Sequence, residues 1–187
     1  MSKDLNIVEA LKSGAVGLLP SDTIYGLSCS ALNQPAIERI FKLKGRGYDK
    51  LFIVLISDFD QVAELHLDPQ GFEPVRNIWP APLTLVVATS DQTPKFLRRT
   101  TNSLAVRMPN KDDLRKLLRK TGPLVSTSAN PSGQPPAETV DQARAYFGDR
   151  LDFYVDAGPI KGQPSTVAKI NDGRVEVLRQ GAYKLRD

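Results

Sequence analysis

Cysteine and histidine are almost missing from this chain of 187 residues, with Cys29 and His66 the one residue of each type. A lone cysteine rules out an intramolecular disulfide and suits a reducing compartment. Two such residues are too few for a zinc-type ligand cluster. Any imidazole base would have to be His66. It follows a stretch from Asp58 to Leu65 that reads as a helix end, where histidine is commonly structural. Long apolar runs are absent too, and none approaches the roughly 18 residues that span a bilayer. The Met1-Ser2-Lys3-Asp4-Leu5 start has an early acid and no apolar core, so no secretory signal is expected. Neither G-x-x-x-x-G-K-[ST] nor a strand-linked G-x-G-x-x-G occurs, so a phosphate site would have to be assembled from separated segments.

The composition is that of a folded domain, with 41% hydrophobic and 25% charged residues. The net charge of +4 favours anionic partners such as nucleotides or RNA, although a merely basic soluble protein explains it as well. Leu5, Val8 and Leu11 have helical spacing, and Ala15 to Leu19 reads as a strand ending at Pro20. Pro35 opens a helix whose Ile37, Ile40 and Phe41 share a face. Leu51 to Ile56 reads as a strand covered on both faces. Further strands are expected at Leu83 to Ala88, Ser103 to Arg107 and from Pro123 to Ser126, with helices at Asp112 to Lys120 and Thr139 to Phe147. In the first of these helices Arg115, Lys116, Arg119 and Lys120 should face outward, as a solvated surface rather than an RNA contact. Asn171-Asp172-Gly173 between Thr166–Ile170 and Arg174–Arg179 marks a hairpin. These elements predict one α/β domain over residues 1–187, a twisted mixed parallel and antiparallel sheet flanked by helices.

Three segments carry more polar chemistry than a connection needs. Pro20-Ser21-Asp22-Thr23-Ile24-Tyr25-Gly26-Leu27 offers hydroxyls, a carboxylate and a phenol beside a glycine. It suits a small polar ligand, but Ser21 and Asp22 also suit a cap or turn, and the residues alone leave the two readings level. Lys42-Leu43-Lys44-Gly45-Arg46-Gly47 follows a helix, where cations favour the dipole. The flanking glycines should also place Lys44 and Arg46 on exposed, adaptable backbone that can grip phosphate or carboxylate. Ser126-Thr127-Ser128-Ala129-Asn130-Pro131-Ser132-Gly133 can surround an anion or form a plain polar turn. A serine nucleophile is a weaker reading, since no G-x-S-x-G elbow surrounds it.

Together these segments resemble the YrdC/Sua5 family of threonylcarbamoyladenylate synthases, from the strand before Pro20 to Arg179. P-S-D-T-I-Y-G-L matches P-T-[ED]-T-x-Y-G-L, with Ser21 for the usual threonine. Lys44-Gly45-Arg46 matches K-x-R, and Ser128-Ala129-Asn130 matches S-x-N. Trp79-Pro80-Ala81-Pro82-Leu83-Thr84 matches W-P-G-P-x-T apart from Ala81, and Arg107-Met108-Pro109 matches R-x-P. Pro164-Ser165-Thr166-Val167 matches P-S-T-[VI], and Arg179-Gln180-Gly181 the terminal R-x-G. The chain departs from the pattern at Gly47 and Lys50, where prolines are usual, and at Asn110, where a histidine is common. It resembles the short form of the family, without an added C-terminal domain.

The resemblance implies a nucleotidyltransferase that makes threonylcarbamoyl-AMP and pyrophosphate from L-threonine, bicarbonate or CO2, and ATP, for the N6-threonylcarbamoyladenosine modification of tRNA. Lys44 and Arg46 would stabilise charge and hold phosphate and carbamate. Ser21, Thr23 and Tyr25 would hold threonine. Ser126, Ser128, Asn130, Arg107, Ser165 and Arg179 would contact the nucleotide. Magnesium would arrive with ATP, with no protein ligand identified. A cytoplasmic monomer is expected, handing its product to a tRNA threonylcarbamoyltransferase complex. The alternative from another class is a non-catalytic factor of the same fold that binds RNA, double-stranded RNA included, in ribosome maturation. A carbamoyl-transfer module of the hydrogenase-maturation type ranks lower, because its zinc-finger cysteines are missing.

Overall fold

The computed structural model describes residues 6–45, 52–98, 101–171 and 174–185. In chain order these form α1 (Ile7–Lys12), β1 (Gly17–Pro20), β2 (Tyr25–Ser30), α2 (Gln34–Lys44), β3 (Ile53–Leu55), α3 (Asp60–Glu64), β4 (Leu83–Ala88) and α4 (Lys95–Arg98). There follow β5 (Ser103–Arg107), α5 (Asp112–Thr121), β6 (Leu124–Ser128), α6 (Val140–Phe147), β7 (Phe153–Tyr154), β8 (Thr166–Asn171) and β9 (Arg174–Arg179). The described strands join in one sheet of order β7-β1-β2-β6-β3-β5-β4-β8-β9. The β1–β7, β3–β5 and β4–β8 pairs are parallel and the others antiparallel. The expected mixed α/β sheet is therefore present. No described helix is long and apolar enough to cross a membrane.

Capping sets α2 where the sequence put it. Asn33 accepts from the Ala36 N–H at 3.0 Å, Pro35 occupies the first turn, and Gly45 ends the helix in the left-handed region at φ 56°. Its buried Ile37, Ile40 and Phe41 join Leu27, Val54, Val106 and Val125 in the main core on one face of the sheet. The other face is covered only in part. There α1 and α5 bring Leu11, Leu114 and Leu118 onto Leu19, Leu55, Leu124 and Phe153. Leu55 pairs with Leu124, and the next same-face pair along the strands is Ile53 with Ser126. Beyond that pair the face opens into a cleft.

The structure differs from expectation at several points. Tyr25 to Ser30 is a strand, not only a ligand loop, and β7 and α4 carry too few residues to show a period. The strand around Leu51 to Ile56 is not covered on both faces: Val54 is fully buried, but Ile53 is half-buried and lines the cleft. Leu51 and the Asp172-Gly173 turn lie outside the described residues. Arg115 does not face out. Its side chain is 15% exposed and pairs with Asp112, and it donates to the Pro109 carbonyl. Cys29 is fully buried on β2, and burial pushes its thiol well above the usual range, which leaves it inert.

Leu118, with no exposed surface in the smaller cluster, should be costly to truncate. Leu118→Ala is expected to lose about 2–5 kcal/mol in urea unfolding, with the Michaelis constants for the cleft's ligands unchanged in the folded fraction.

Candidate active site

The turn between β1 and β2 is organised by one hydroxyl. Ser21 Oγ accepts from the N–H groups of Thr23 and Ile24 at 3.1 and 3.2 Å and donates to the Ile24 carbonyl at 2.6 Å. It also lies 3.0 Å from Thr23 Oγ1. Held this way, Thr23 Oγ1 accepts from Arg107 Nη1 at 3.1 Å. The neighbouring Asp22 places Oδ1 3.2 Å from Arg107 Nη2, with both side chains about 95% buried (5% and 6% exposed). Its Oδ2 accepts from the Asn110 backbone N–H at 2.9 Å. Asn110 thus serves through its main chain, and its departure from the family's histidine leaves this contact intact.

Burial pushes the Arg107 guanidinium below its ordinary value. Asp22 opposes the shift, and the like charge of Arg179 adds to it. Arg107 Nε has no acceptor among the described residues, so the chain leaves part of its donor capacity unfilled.

The floor is built from small residues of β2 and β6. Gly26 pairs with Ser128, and Ser28 with Ser126. A Cβ at Gly26 would stand 2.5 Å from Ser126 Oγ, so the glycine makes room for that hydroxyl. On the far wall Ser165 Oγ lies 2.8 Å from Thr84 Oγ1, and Arg179 Nη2 donates to the Ser165 carbonyl at 3.0 Å. The cleft holds about 500 Å³, within the range of small-molecule sites. Its described lining has no carboxylate and no lysine; Arg107 and Arg179 are its charged members.

Of the residues anticipated from sequence, Ser21, Thr23, Tyr25, Arg107, Ser126, Ser128, Ser165 and Arg179 all line this cleft. Lys44 and Asn130 do not. Lys44 is no exposed residue on adaptable backbone: it ends α2 and is 3% exposed. Its ammonium donates to the Ser128 carbonyl at 2.7 Å and to Asn130 Oδ1 at 2.9 Å. Asn130 in turn donates to the Gln134 carbonyl at 2.5 Å, so the pair shapes the loop after β6. Arg46, Gly47 and Lys50 lie outside the described residues. His66 is exposed after α3 and does not line the cleft.

Tyr25 has a second task. Its hydroxyl accepts from the Ala157 N–H at 2.9 Å and donates to the Gly158 carbonyl at 2.8 Å, pinning the segment that leads to Ser165. That task, the Asp22 carboxylate beside Arg107 and the Thr84 partner of Ser165 escape sequence reading, because each joins segments far apart in the chain.

Residues 9–181 match the family model described as telomere recombination, covering Sua5, YciO and YrdC, and the chain belongs to this family. It is 37% identical over 174 residues to a threonylcarbamoyl-AMP synthase of Marinobacter nauticus, covering 89% of this chain and 90% of that one. Identity to the Yersinia enterocolitica threonylcarbamoyl-AMP synthase is 33% over 183 residues, 94% of each chain. Among solved structures, Pyrococcus abyssi Sua5 complexed with L-threonine is similar at a TM-score of 0.84 and 30% identity. That match takes in 94% of this chain and 53% of that one, so this chain spans about half its length. Escherichia coli YciO, 22% identical with a TM-score of 0.83 over 95% of this chain and 88% of that one, shares the fold.

Removing the Tyr25 hydroxyl should strand two backbone groups. Tyr25→Phe is expected to cost about 1–3 kcal/mol, with faster amide exchange at Ala157 as the check. Burial raises the phenol above its ordinary 10.0. The unfolded chain therefore ionises first, so this stabilisation is complete below pH 10 and lost as the pH rises through the folded value. Wild-type unfolding free energy should fall more steeply above pH 10 than that of Tyr25→Phe.

Proposed function

We propose that this protein is a threonylcarbamoyl-AMP synthase of the nucleotidyltransferase class, acting in the cytoplasm. One observation carries the reading: the cleft sets two guanidiniums, one of them buried, over a floor of hydroxyls, with no carboxylate in its described lining. ATP, bicarbonate and threonine's carboxylate are all anions, and their mutual repulsion is the main barrier to bringing them together. Fixed cations and donors in a shielded cleft offset that repulsion and cost no reorganisation during reaction.

In the proposed reaction threonine's amine adds to CO2 with loss of a proton, or to bicarbonate with loss of water, and gives a carbamate. A carbamate oxygen then attacks the α-phosphorus of ATP, and pyrophosphate leaves with its electron pair. Thr23 and Tyr25 lie on the threonine side. Arg107, Arg179, Ser126, Ser128 and Ser165 face the nucleotide and the developing charge. Lys44 and Asn130 hold the Ser128 loop in shape, and Arg46 completes the K-x-R pair. Magnesium belongs to the substrate here: with no carboxylate offered by the described lining, triphosphate oxygens and water would complete its shell. The chain's residues serve by position and charge, with no covalent enzyme intermediate. The unstable product passes to a tRNA threonylcarbamoyltransferase complex. An RNA-binding role on the basic α5 face is not favoured, because Arg115, Lys116 and Arg119 each have an acidic partner within 4.0 Å.

The test is pyrophosphate release from ATP by the purified protein, with threonine and bicarbonate present or withheld. Release should require both. Arg179→Ala should reduce it on the order of 100-fold while moving the melting midpoint little, since Arg179 is exposed on the last strand. Lys44→Ala is a poorer probe, because it empties a buried cation site. A folded protein that releases no pyrophosphate but binds RNA with a steep salt dependence would overturn the synthase reading.

A further inference from the structure

We propose that Asp22 is a positioning residue of the reaction, holding the Arg107 guanidinium in the orientation that receives an anionic substrate. The inference rests on the reading of Arg107 as a substrate-binding group. Asp22 is absent from the cleft lining, so it acts through the arginine and does not touch substrate.

The geometry is that of a clamp fixed at its far end. Arg107 is 4% exposed, too buried to be steadied by water. Its two terminal nitrogens face acceptors from consecutive residues of one turn, Asp22 Oδ1 at 3.2 Å and Thr23 Oγ1 at 3.1 Å. Neither acceptor is free to follow the arginine. Asp22 Oδ2 is tied to the Asn110 N–H at 2.9 Å, and Thr23 Oγ1 to Ser21 Oγ at 3.0 Å. Asp22 Oδ1 stands at ion-pair distance with no hydrogen bond among the described residues, so it holds the guanidinium by charge, while the bond to Thr23 Oγ1 sets its direction.

Sheet order adds weight. Between β1 and β5 lie β2, β6 and β3, so the Asp22–Arg107 pair joins elements that are not neighbours in the sheet. Nothing in the β1–β2 hairpin itself requires this pairing, since Ser21 alone closes the turn. Arg179 supplies a like charge on the opposite wall, and its influence reaches Arg107. Without the carboxylate, Arg107 would be buried beside a repelling neighbour and held by the Thr23 hydroxyl.

The experiment measures kcat and KM for ATP and for threonine in Asp22→Asn, Asp22→Glu, Arg107→Lys and the Asp22→Asn/Arg107→Lys double variant, each well below its own melting midpoint. Arg107→Lys should raise the KM of one anionic substrate by tenfold or more. Asp22→Asn keeps the shape and loses the charge. It should raise the KM of that same substrate by about tenfold with kcat within about threefold. Asp22→Glu should restore the KM, and the double variant should be no worse than Arg107→Lys alone, as expected for two residues acting in series. If Asp22→Asn does not fold, Asp22→Ser takes its place. A lowered melting midpoint with both KM values unchanged, or effects of the two variants that multiply, would make Asp22 a structural residue and overturn the proposal. If Arg107→Lys leaves both KM values alone while pyrophosphate release persists, the reading of Arg107 fails, and the role of Asp22 falls with it.

Discussion

A sheet buried on one face and half-covered on the other is the constraint on which this molecule turns. The main core closes one side with α2 and its neighbours. The opposite side is sealed only where α1 and α5 rest on Leu55 and Leu124. One residue pair further along the same strands the covering ends, at Ile53 and Ser126. A bare sheet face in a folded domain is either wet and polar or a site. Here small and hydroxylated residues of β2 and β6 sit beside aliphatic ones such as Ile53 and Val86, so the face is shaped and not merely left over. The polar groups that the cleft offers come from strands and from the turns that join them.

Two cations associated with this region show how differently burial can be used. Lys44 is nearly enclosed, and the loop after β6 supplies its acceptors through Ser128 and Asn130. It behaves as internal scaffolding for the loop whose hydroxyls face the cleft. Arg107 is equally enclosed but, among the described residues, its Nε has no acceptor, and the oxygen of Asp22 meets another nitrogen at ion-pair distance. Burying a charge with incomplete pairing is expensive. Such arrangements are tolerated where charge is needed for recognition. The contrast separates a cation enclosed by the loop after β6 from one that lines the cleft.

Local pattern carried much of the fold into the sequence. The bounds of β4 and β5 follow their apolar runs, Asn33, Pro35 and Gly45 bracket α2, and α5 follows its leucine spacing. The cleft was legible only through the ordered set of motifs that carries the family resemblance, because each hydroxyl-rich segment taken alone suits a cap or turn equally well. What stayed hidden depends on distance along the chain. Neither β7, with two residues, nor β2, read as a loop for its polar neighbours, announces itself by period. The burial of Lys44 could not be read either, because its acceptors, Ser128 and Asn130, lie 84 and 86 residues further along the chain. Cations near a helix end look alike until the loop above them is placed. The pairing of Asp22 with Arg107 was equally silent, since a Ser-Asp-Thr turn gives the same local signal whether its acid caps a turn or crosses the sheet.

The contact between Gly26 and Ser126 ties two positions that no mutation can treat separately. A methyl at residue 26 is housed only if the hydroxyl at residue 126 swings out of its place or is deleted. Along a lineage of such proteins the two sites are therefore coupled: a side chain gained at residue 26 needs the hydroxyl at residue 126 turned aside or lost. Either way the floor of the cleft changes, because both residues line it.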